Sequence, residues 1–336
     1  MLFSVAAHFY RESMMTTHLA RVFKAAILGA FLVSTSAFAG GSETSSSQQQ
    51  AVLVTGASSG IGRAIAEHLA AEGYFVFAGA RKQADIDALN NIENVHAVRL
   101  DVTVADEINS AVATVRAQGM GLYGLVNNAG VLITGPVSDA DIDRVQWLFD
   151  VNVYGVMRVT QAFAPLIIES QGRIINMGSI SGNLAPEFLG PYAMSKHAIE
   201  AYSDSLGAGM QRFGVSVSVV APGDYTSEIW KGELAKSKMS GVVEADSPYY
   251  EDYQDWMGLV AGLESKSPVE VAHTTLRALT DDAPARRYLI VPNEMEMGWV
   301  MGAAVTRLAE LNAKHDYSYS TEELTAMLEE AMAQHR

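Results

Sequence analysis

The stretch that decides the fold is residues 51–62, Ala51-Val52-Leu53-Val54-Thr55-Gly56-Ala57-Ser58-Ser59-Gly60-Ile61-Gly62. A short apolar run ends in a glycine-rich turn, and Ile61–Ala71 continues with its apolar residues at helical spacing. In such a unit Gly56 allows the tight turn, Gly60 lets the backbone approach a pyrophosphate, and Gly62 permits close helix packing. The helix N-terminus then offers free N–H groups to phosphates. The nucleotide-binding residues predicted here are Gly56, Ser58, Ser59, Gly60, Ile61 and Gly62.

Apolar runs of strand length recur along the chain. The predicted strands are Ala51–Thr55, Tyr74–Ala78, Val95–Leu100, Leu122–Val126, Arg173–Met177, Val215–Val220 and Tyr288–Val291. The long helical segments predicted between them include Ala105–Ala117, Asp139–Ile168 and Tyr192–Phe213. Most of the strands are almost continuously apolar, as strands buried on both faces are. The alternation predicts a doubly wound parallel α/β sheet of Rossmann type, forming one catalytic domain over residues 51–336.

Composition narrows the classes of function. The 336-residue chain carries a net charge of −15, which argues against a nucleic-acid partner because phosphate backbones are repelled. It has no cysteine, which removes disulfides and thiolate chemistry, and its eight histidines show no metal-ligand spacing. We therefore expect no metal site.

The N-terminal region has the pattern of a targeting segment, residues 1–39, followed by a polar linker, residues 40–50. Arg21 and Lys24 precede an uncharged run, Ala25–Ala39, that ends in Ala37-Phe38-Ala39. This is the pattern of a cleavable secretory signal, and the run is short for a membrane-spanning helix. We expect export, with an uncleaved membrane anchor or an unused, mis-started segment as the alternatives.

Four motifs resemble those of the short-chain dehydrogenases/reductases, and they follow in that family's order. They are Thr55–Gly62 (TGxxxGIG), Asn127-Asn128-Ala129-Gly130 (NNAG), Tyr192-Ala193-Met194-Ser195-Lys196 (YxxxK) and Pro222-Gly223. The resemblance covers roughly residues 51–230, and loosely favours the retinol- and hydroxysteroid-dehydrogenase-like branch. It implies hydride transfer between NAD(P) and an alcohol or carbonyl substrate, which we expect to be apolar.

The YxxxK motif suits that chemistry. Tyr192 and Lys196 stand four residues apart, on one face of a helix, so the ammonium is expected to lower the tyrosine pKa toward neutrality and make Tyr192 a general acid/base. The resemblance further implies that Lys196 reaches the nicotinamide ribose. By the family's spacing it also implies that Ser179 binds the substrate oxygen and that Asn152 holds a proton-relay water. Each residue alone also fits an ordinary packing, cap or turn role.

Cofactor preference is expected to be set after the second strand, in Ala78-Gly79-Ala80-Arg81-Lys82. No acid stands at Ala80, and Arg81 matches the place where NADP-preferring members of the family carry arginine. NADP(H) is therefore favoured and NAD(H) remains an alternative, although Arg81 could also be a solvated loop cation. The resemblance implies that Asp101 binds the adenine amino group. The further cofactor contacts that it implies are Val102, Asn128, Ala129, Gly130, Pro222, Gly223, Thr226 and Ser227, with the contact to the nicotinamide amide assigned to either of the last two.

Residues 224–266 stand where the family keeps its variable substrate lid, and residues 295–336 add C-terminal helices that either cover the pocket or form a subunit contact. The expected partners are a small-molecule alcohol or carbonyl, a further copy of the chain, and a membrane only through the N-terminal segment.

Two other functions stay open: an epimerase or dehydratase of the extended type, and a non-catalytic NADP-binding sensor or scaffold. The glycine spacing disfavours the first, and the intact Tyr192 and Lys196 disfavour the second.

Overall fold

The computed structural model describes residues 49–227, 229, 243–262, 265–314 and 316–334. The predicted signal or anchor segment and nearly all of the linker lie outside these residues, so those interpretations stay predictions. In the described residues a seven-stranded sheet has the order β3-β2-β1-β4-β5-β6-β7, and every neighbouring pair is parallel. The predicted doubly wound sheet is confirmed.

The seven strands lie close to their predicted positions. They are β1 Ala51–Val54, β2 Phe75–Ala80, β3 Val95–Arg99, β4 Gly124–Asn127, β5 Arg173–Met177, β6 Ser216–Pro222 and β7 Arg287–Ile290. β1 and β4 are buried at every position, as central strands covered by helices on both faces must be.

The helices of the described residues are numbered in chain order. They are α1 Gly60–Ala71, α2 Gln83–Leu89, α3 Ala105–Ala117, α4 Ile142–Phe149, α5 Val156–Glu169, α6 Gly190–Met210, α7 Tyr250–Ala261, α8 Val269–Thr280, α9 Glu294–Asn312 and α10 Thr321–Gln334. α1, α2 and α8 pack on one face of the sheet, around Ile65, Leu69 and Leu279. α3, α5 and α6 pack on the other, around Val115 and Phe163.

The long helix predicted over Asp139–Ile168 is interrupted by a π-helical segment. Asp141 caps the start of α4 by accepting from the Asp143 N–H at 2.9 Å, and Asp150–Gly155 then forms π-helix before α5 begins. Gly155 fits this bend because a Cβ there would lie 2.6 Å from Cγ2 of Val102. The segment places Asn152 between the sheet and α6.

Within the described residues one helical stretch, Ile142–Glu169, is long and apolar enough to cross a membrane by length and composition. Val159, Phe163 and Ile167 of this stretch are fully buried against the sheet. Its apolar character is therefore that of a core helix.

Candidate active site

A cavity of about 1340 Å³ opens at the carboxyl ends of the strands, at the point where the sheet order reverses between β1 and β4. This is where open α/β sheets bind their ligands. All of the predicted cofactor and catalytic residues line the cavity except Asn152. The set comprises Gly56, Ser58, Ser59, Gly60, Ile61, Gly62, Arg81, Asp101, Val102, Asn128, Ala129, Gly130, Ser179, Tyr192, Lys196, Pro222, Gly223, Thr226 and Ser227.

The glycine turn leaves backbone donors open to the cavity. Gly56 and Gly60 have φ of 66° and 55°, a region that side-chain-bearing residues rarely adopt. A Cβ on Gly56 would lie 2.8 Å from Cα of Ala129, and one on Gly62 would overlap the Gly56 carbonyl oxygen. Ser59, at the N-cap of α1, makes no side-chain cap bond, so the first N–H groups of α1 lack that partner. These residues fit a pyrophosphate.

The NNAG segment braces this turn from the next strand. Asn128 donates from Nδ2 to the carbonyl oxygens of Thr55 and Gly56, at 2.9 and 3.2 Å. The Thr55 hydroxyl accepts from the backbone N–H groups of Asn128 and Ala129, both at 3.0 Å. The Asn128 amide therefore holds the shape of the phosphate turn, a role the sequence reading did not assign to it.

The opposite end of the cleft carries an exposed guanidinium beside a carboxylate. Arg81 Nη1 lies 3.8 Å from Oδ2 of Asp101, and the Arg81 side chain is 64% exposed. Burial acts to raise the pKa of Asp101, but hydrogen bonds from Thr103 and the Arg81 charge outweigh it and hold that pKa below its usual value. Arg99, which sequence reasoning missed, donates to the Arg81 carbonyl oxygen at 2.5 Å and fixes the backbone of this loop.

Ser179, Tyr192 and Lys196 come together at the end of β5 and the start of α6. The Lys196 ammonium lies 5.5 Å from the centroid of the Tyr192 ring and donates to the Met177 carbonyl oxygen at 2.8 Å. Burial raises the pKa of Tyr192 to about 12, and a hydrogen bond with Ser179 acts in the opposite direction. The expected lowering of the tyrosine pKa is wrong for this state of the protein, because desolvation of the phenolate dominates. The phenol is a proton donor here.

Glu200 is a second titratable group beneath the lysine. It lies one helical turn beyond Lys196, is 8% exposed, and binds Nε of Arg287 through Oε2 at 2.8 Å. Among the described residues its buried Oε1 has no hydrogen-bond partner, and it faces the Gly178 and Gly182 backbone. Burial lowers the pKa of Lys196 to about 8, and the Glu200 carboxylate acts to raise it. Glu200 therefore helps to keep the lysine charged.

This arrangement predicts the pH dependence of carbonyl reduction. Lys196 is protonated below about pH 8, so kcat/KM should fall as the pH rises through that value. In Glu200→Gln the supporting carboxylate is lost, the pKa of Lys196 falls further, and the decline should begin at lower pH. The measurement is a pH profile of kcat/KM in the reductive direction.

Asp204→Asn is the matched control, because Asp204 binds the same Arg287 at 2.7 Å, whereas Glu200 is the carboxylate whose charge raises the pKa of Lys196. It should leave the position of the decline unchanged. Equal displacement in both variants, or none in Glu200→Gln, would show that Lys196 does not set the decline.

Asn152 lies behind the cavity wall. Its side-chain amide accepts from the Val131 N–H at 2.8 Å, donates to the Val131 carbonyl oxygen at 2.9 Å, and donates to Oγ of Ser195 at 3.1 Å. These bonds tie the π-helical segment to the strand-end loop and to α6. The Asn152 side chain therefore positions these elements relative to one another, and a water-holding role for Asn152 stays a prediction.

Thr226 and Ser227, the two candidates for the contact to the nicotinamide amide, differ in their hydrogen bonds within the protein. The Thr226 hydroxyl donates to the Ser265 carbonyl oxygen at 3.1 Å. Ser227 also lines the cavity, and its hydroxyl forms no hydrogen bond with another described residue. This favours Ser227.

The substrate side of the cavity is largely apolar. The residues there that sequence reasoning did not single out include Trp147, Leu132, Leu184, Leu189, Val260, Met295, Trp299, Ala303 and Arg307. In the lid, Tyr253 and Met257 are buried with Phe188 and Val243, whereas Trp256 reaches the cavity. The lid aromatics thus divide between packing and lining, and Trp230 and Met239 lie outside the described residues.

Known proteins share this architecture. The family model described as short chain dehydrogenase matches residues 50–238. The mitochondrial D-beta-hydroxybutyrate dehydrogenase of Rattus norvegicus is 32% identical over 74% of the chain and 78% of its own length. The NADPH-dependent 3-dehydrocapnine reductase of Ornithobacterium rhinotracheale is 34% identical over 72% and 88%. The solved structure of a short-chain dehydrogenase from Streptomyces avermitilis superposes with a TM-score of 0.68 at 28% identity, covering 79% of the chain and 96% of that protein.

Proposed function

The chain belongs to the short-chain dehydrogenase family and is an NAD(P)-dependent oxidoreductase of alcohols and carbonyls, and from this premise we propose that Tyr192 is its general acid and base. The observation that carries the proposal is the grouping of a protonated Tyr192, Ser179 and Lys196 on the wall of the cavity that the glycine turn also lines. Bound there, the nicotinamide supplies or accepts the hydride.

The roles of the protein groups follow from their positions. In reduction, Ser179 orients the substrate oxygen, and the Tyr192 phenol gives its proton to the alkoxide as it forms. The Lys196 ammonium, anchored on the Met177 carbonyl, stabilises the phenolate that remains. In oxidation the same groups act in reverse, with Tyr192 receiving the alcohol proton.

A coupled assay tests the proposed function. Purified protein is screened against aliphatic, steroid and retinoid alcohols and ketones with each cofactor, following the absorbance of the reduced nicotinamide. Turnover that depends on Tyr192 supports the proposal. Tight cofactor binding with no turnover on any compound would favour the sensor or scaffold alternative.

We also propose NADP(H) as the preferred cofactor, with Arg81 as its phosphate-binding residue. Arg81 lines the cavity rim, no acid stands at Ala80, and the long 3.8 Å pairing with Asp101 leaves the guanidinium able to take a second anion. Arg81→Ala should weaken NADP(H) binding by about 1.5–3 kcal/mol, toward the lower end because the side chain is exposed, and hardly change NAD(H) binding.

Fluorescence titration of both reduced cofactors measures this. Lys82→Ala is the control, since it removes the neighbouring cation, which does not line the cavity. If Arg81→Ala weakens the binding of both cofactors equally, Arg81 does not bind the phosphate that distinguishes NADP(H) from NAD(H).

Two further proposals concern assembly and location. Exposed apolar residues on and between α4, α5 and α6, Ile142, Tyr154 and Met194, support self-association of the chain, which light scattering measures. The signal-like residues 1–39 support export, with anchoring as the alternative. Cell fractionation and sequencing of the mature N-terminus distinguish the two.

A further inference from the structure

The wall of the cavity on its substrate side is formed by one face of α9. Met295, Trp299, Ala303 and Arg307 follow each other at four-residue spacing, which places them on one side of a helix, and all four line the cavity. Met295 and Trp299 are about half exposed, at 57% and 51%, so this wall presents apolar surface that a ligand can cover. A cation, Arg307, ends the row.

Arg307 is held at the cavity by a histidine side chain. Its Nη2 lies 3.3 Å from Nε2 of His197 on α6. Nδ1 of the same imidazole lies 2.9 Å from the Ala193 carbonyl oxygen, which can only accept, so Nδ1 carries the proton and Nε2 accepts from the guanidinium. The bond fixes the position of Arg307 without neutralising its charge.

The other charged groups of the described lining already have roles. Arg81 stands beside Asp101, and Lys196 belongs to the catalytic group. Asp224 accepts from the Ser265 hydroxyl at 3.1 Å, and Glu296 accepts from the Asp224 N–H at 2.9 Å. Among the described residues no carboxylate lies within ion-pair distance of Arg307.

The negative net charge of the chain makes the position of Arg307 in the cavity relevant to substrate charge. At −15 the protein as a whole repels anions, so an anionic substrate needs a local cation to hold it. Arg307 is suited to this, because with one N–H on His197 the fork keeps further donors for a carboxylate. Arg307 and Tyr192 line the same cavity, and His197, the partner of Arg307, follows Tyr192 by five residues on α6.

We propose that Arg307 binds the carboxylate of an apolar oxo or hydroxy acid whose carbonyl or alcohol carbon reacts at Tyr192. The inference rests on the proposed function and adds the chemical class of its substrate. The apolar chain of such a molecule lies along Met295 and Trp299, and its carboxylate ends at the guanidinium.

The test compares matched substrates. Straight-chain oxo acids of increasing length, each beside its methyl ester, are assayed with the wild-type protein, Arg307→Ala, Arg307→Lys and the control Arg277→Ala. Arg277 is an exposed arginine of α8 outside the cavity lining. In Arg307→Ala, kcat/KM for the acids should fall about tenfold, mainly through KM, near the lower end for charged hydrogen bonds because the site is open to solvent.

The esters and the cofactor KM should change less than twofold in Arg307→Ala, the lysine variant should recover part of the acid activity, and Arg277→Ala should resemble wild type. The acid preference should also shrink as salt is added. Equal losses for acids and esters would overturn the proposal, since they would mean that Arg307 only holds α9 on α6. So would the absence of any acid preference in the wild-type protein.

A binding arm separates this inference from the proposed function. Calorimetry of the matching fatty acids and fatty alcohols, without cofactor, reports on Arg307 whether or not the protein turns over. Tighter binding of the acids that is lost in Arg307→Ala supports the site even if no oxo acid is reduced. Fatty acids that bind no better than alcohols overturn it even if other carbonyls are reduced.

Discussion

Tyr192→Phe should lower turnover by roughly 10²–10⁴-fold, the range expected when a general acid/base is removed. The phenylalanine keeps the ring that Lys196 approaches at 5.5 Å and removes only the hydroxyl that carries the proton. Because burial raises the pKa of that hydroxyl to about 12, it is protonated and ready to donate in the wild-type protein. Cofactor affinity should be nearly unchanged, so the loss should be in kcat.

Tyr202→Phe is the matched control for this result. Tyr202 lies on the same helix, is half-buried, and its hydroxyl bonds Thr160 rather than facing the cavity. Its loss should cost about 1 kcal/mol of stability and little turnover. Steady-state kinetics of both variants decide the matter: a Tyr192→Phe enzyme retaining more than about a tenth of wild-type turnover contradicts the assigned mechanism.

The second large effect is expected from a single methyl group in the phosphate turn. The Cβ of Gly62→Ala would overlap the Gly56 carbonyl oxygen and Nδ2 of Asn128, the two partners that shape the turn. A backbone oxygen cannot move aside as a flexible side chain can, so the cost should be about 1–3 kcal/mol. Because the turn binds the cofactor, this cost should weaken cofactor binding roughly 5- to 150-fold.

Gly209→Ala supplies the comparison, because Gly209 lies inside α6 and a Cβ there would meet no described atom within 4 Å beyond its own helix backbone. That change should leave cofactor binding alone and stabilise the protein by about 0.5–1 kcal/mol, as Gly→Ala does inside a helix. Calorimetric titration with the reduced cofactor and thermal unfolding give both quantities. Cofactor binding in Gly62→Ala within twofold of wild type would mean that the turn tolerates the methyl group.

The sheet and the cofactor turn could be predicted because their signals are local. The strands are nearly unbroken apolar runs, and the glycines occupy positions that backbone sterics dictate. The π-helical segment Asp150–Gly155 could not, because its residues fit an ordinary helix and its neighbours Val102 and Val131 are distant in sequence.

Two properties of the site also escaped sequence reasoning. The Tyr192 pKa was expected to fall because the i, i+4 spacing shows the lysine but not the depth of burial, which dominates. Trp299 and Arg307 carry no motif, and they reach the cavity only because α9 returns across it after β7. The one available signal was the four-residue spacing that places these side chains on one face of a C-terminal helix. That spacing does not predict which part of the protein the face contacts.

The bond from the Asp224 N–H to the Glu296 carboxylate joins the two halves of the cavity. Glu296 lies in the first turn of α9, whose next turns line the substrate side, and Gly223, beside Asp224, belongs to the turn that lines the cofactor side. A ligand that displaces α9 must strain this bond and disturb the turn. We therefore expect occupancy of one half to change the affinity of the other, by a factor that thermodynamic reciprocity makes the same in both directions.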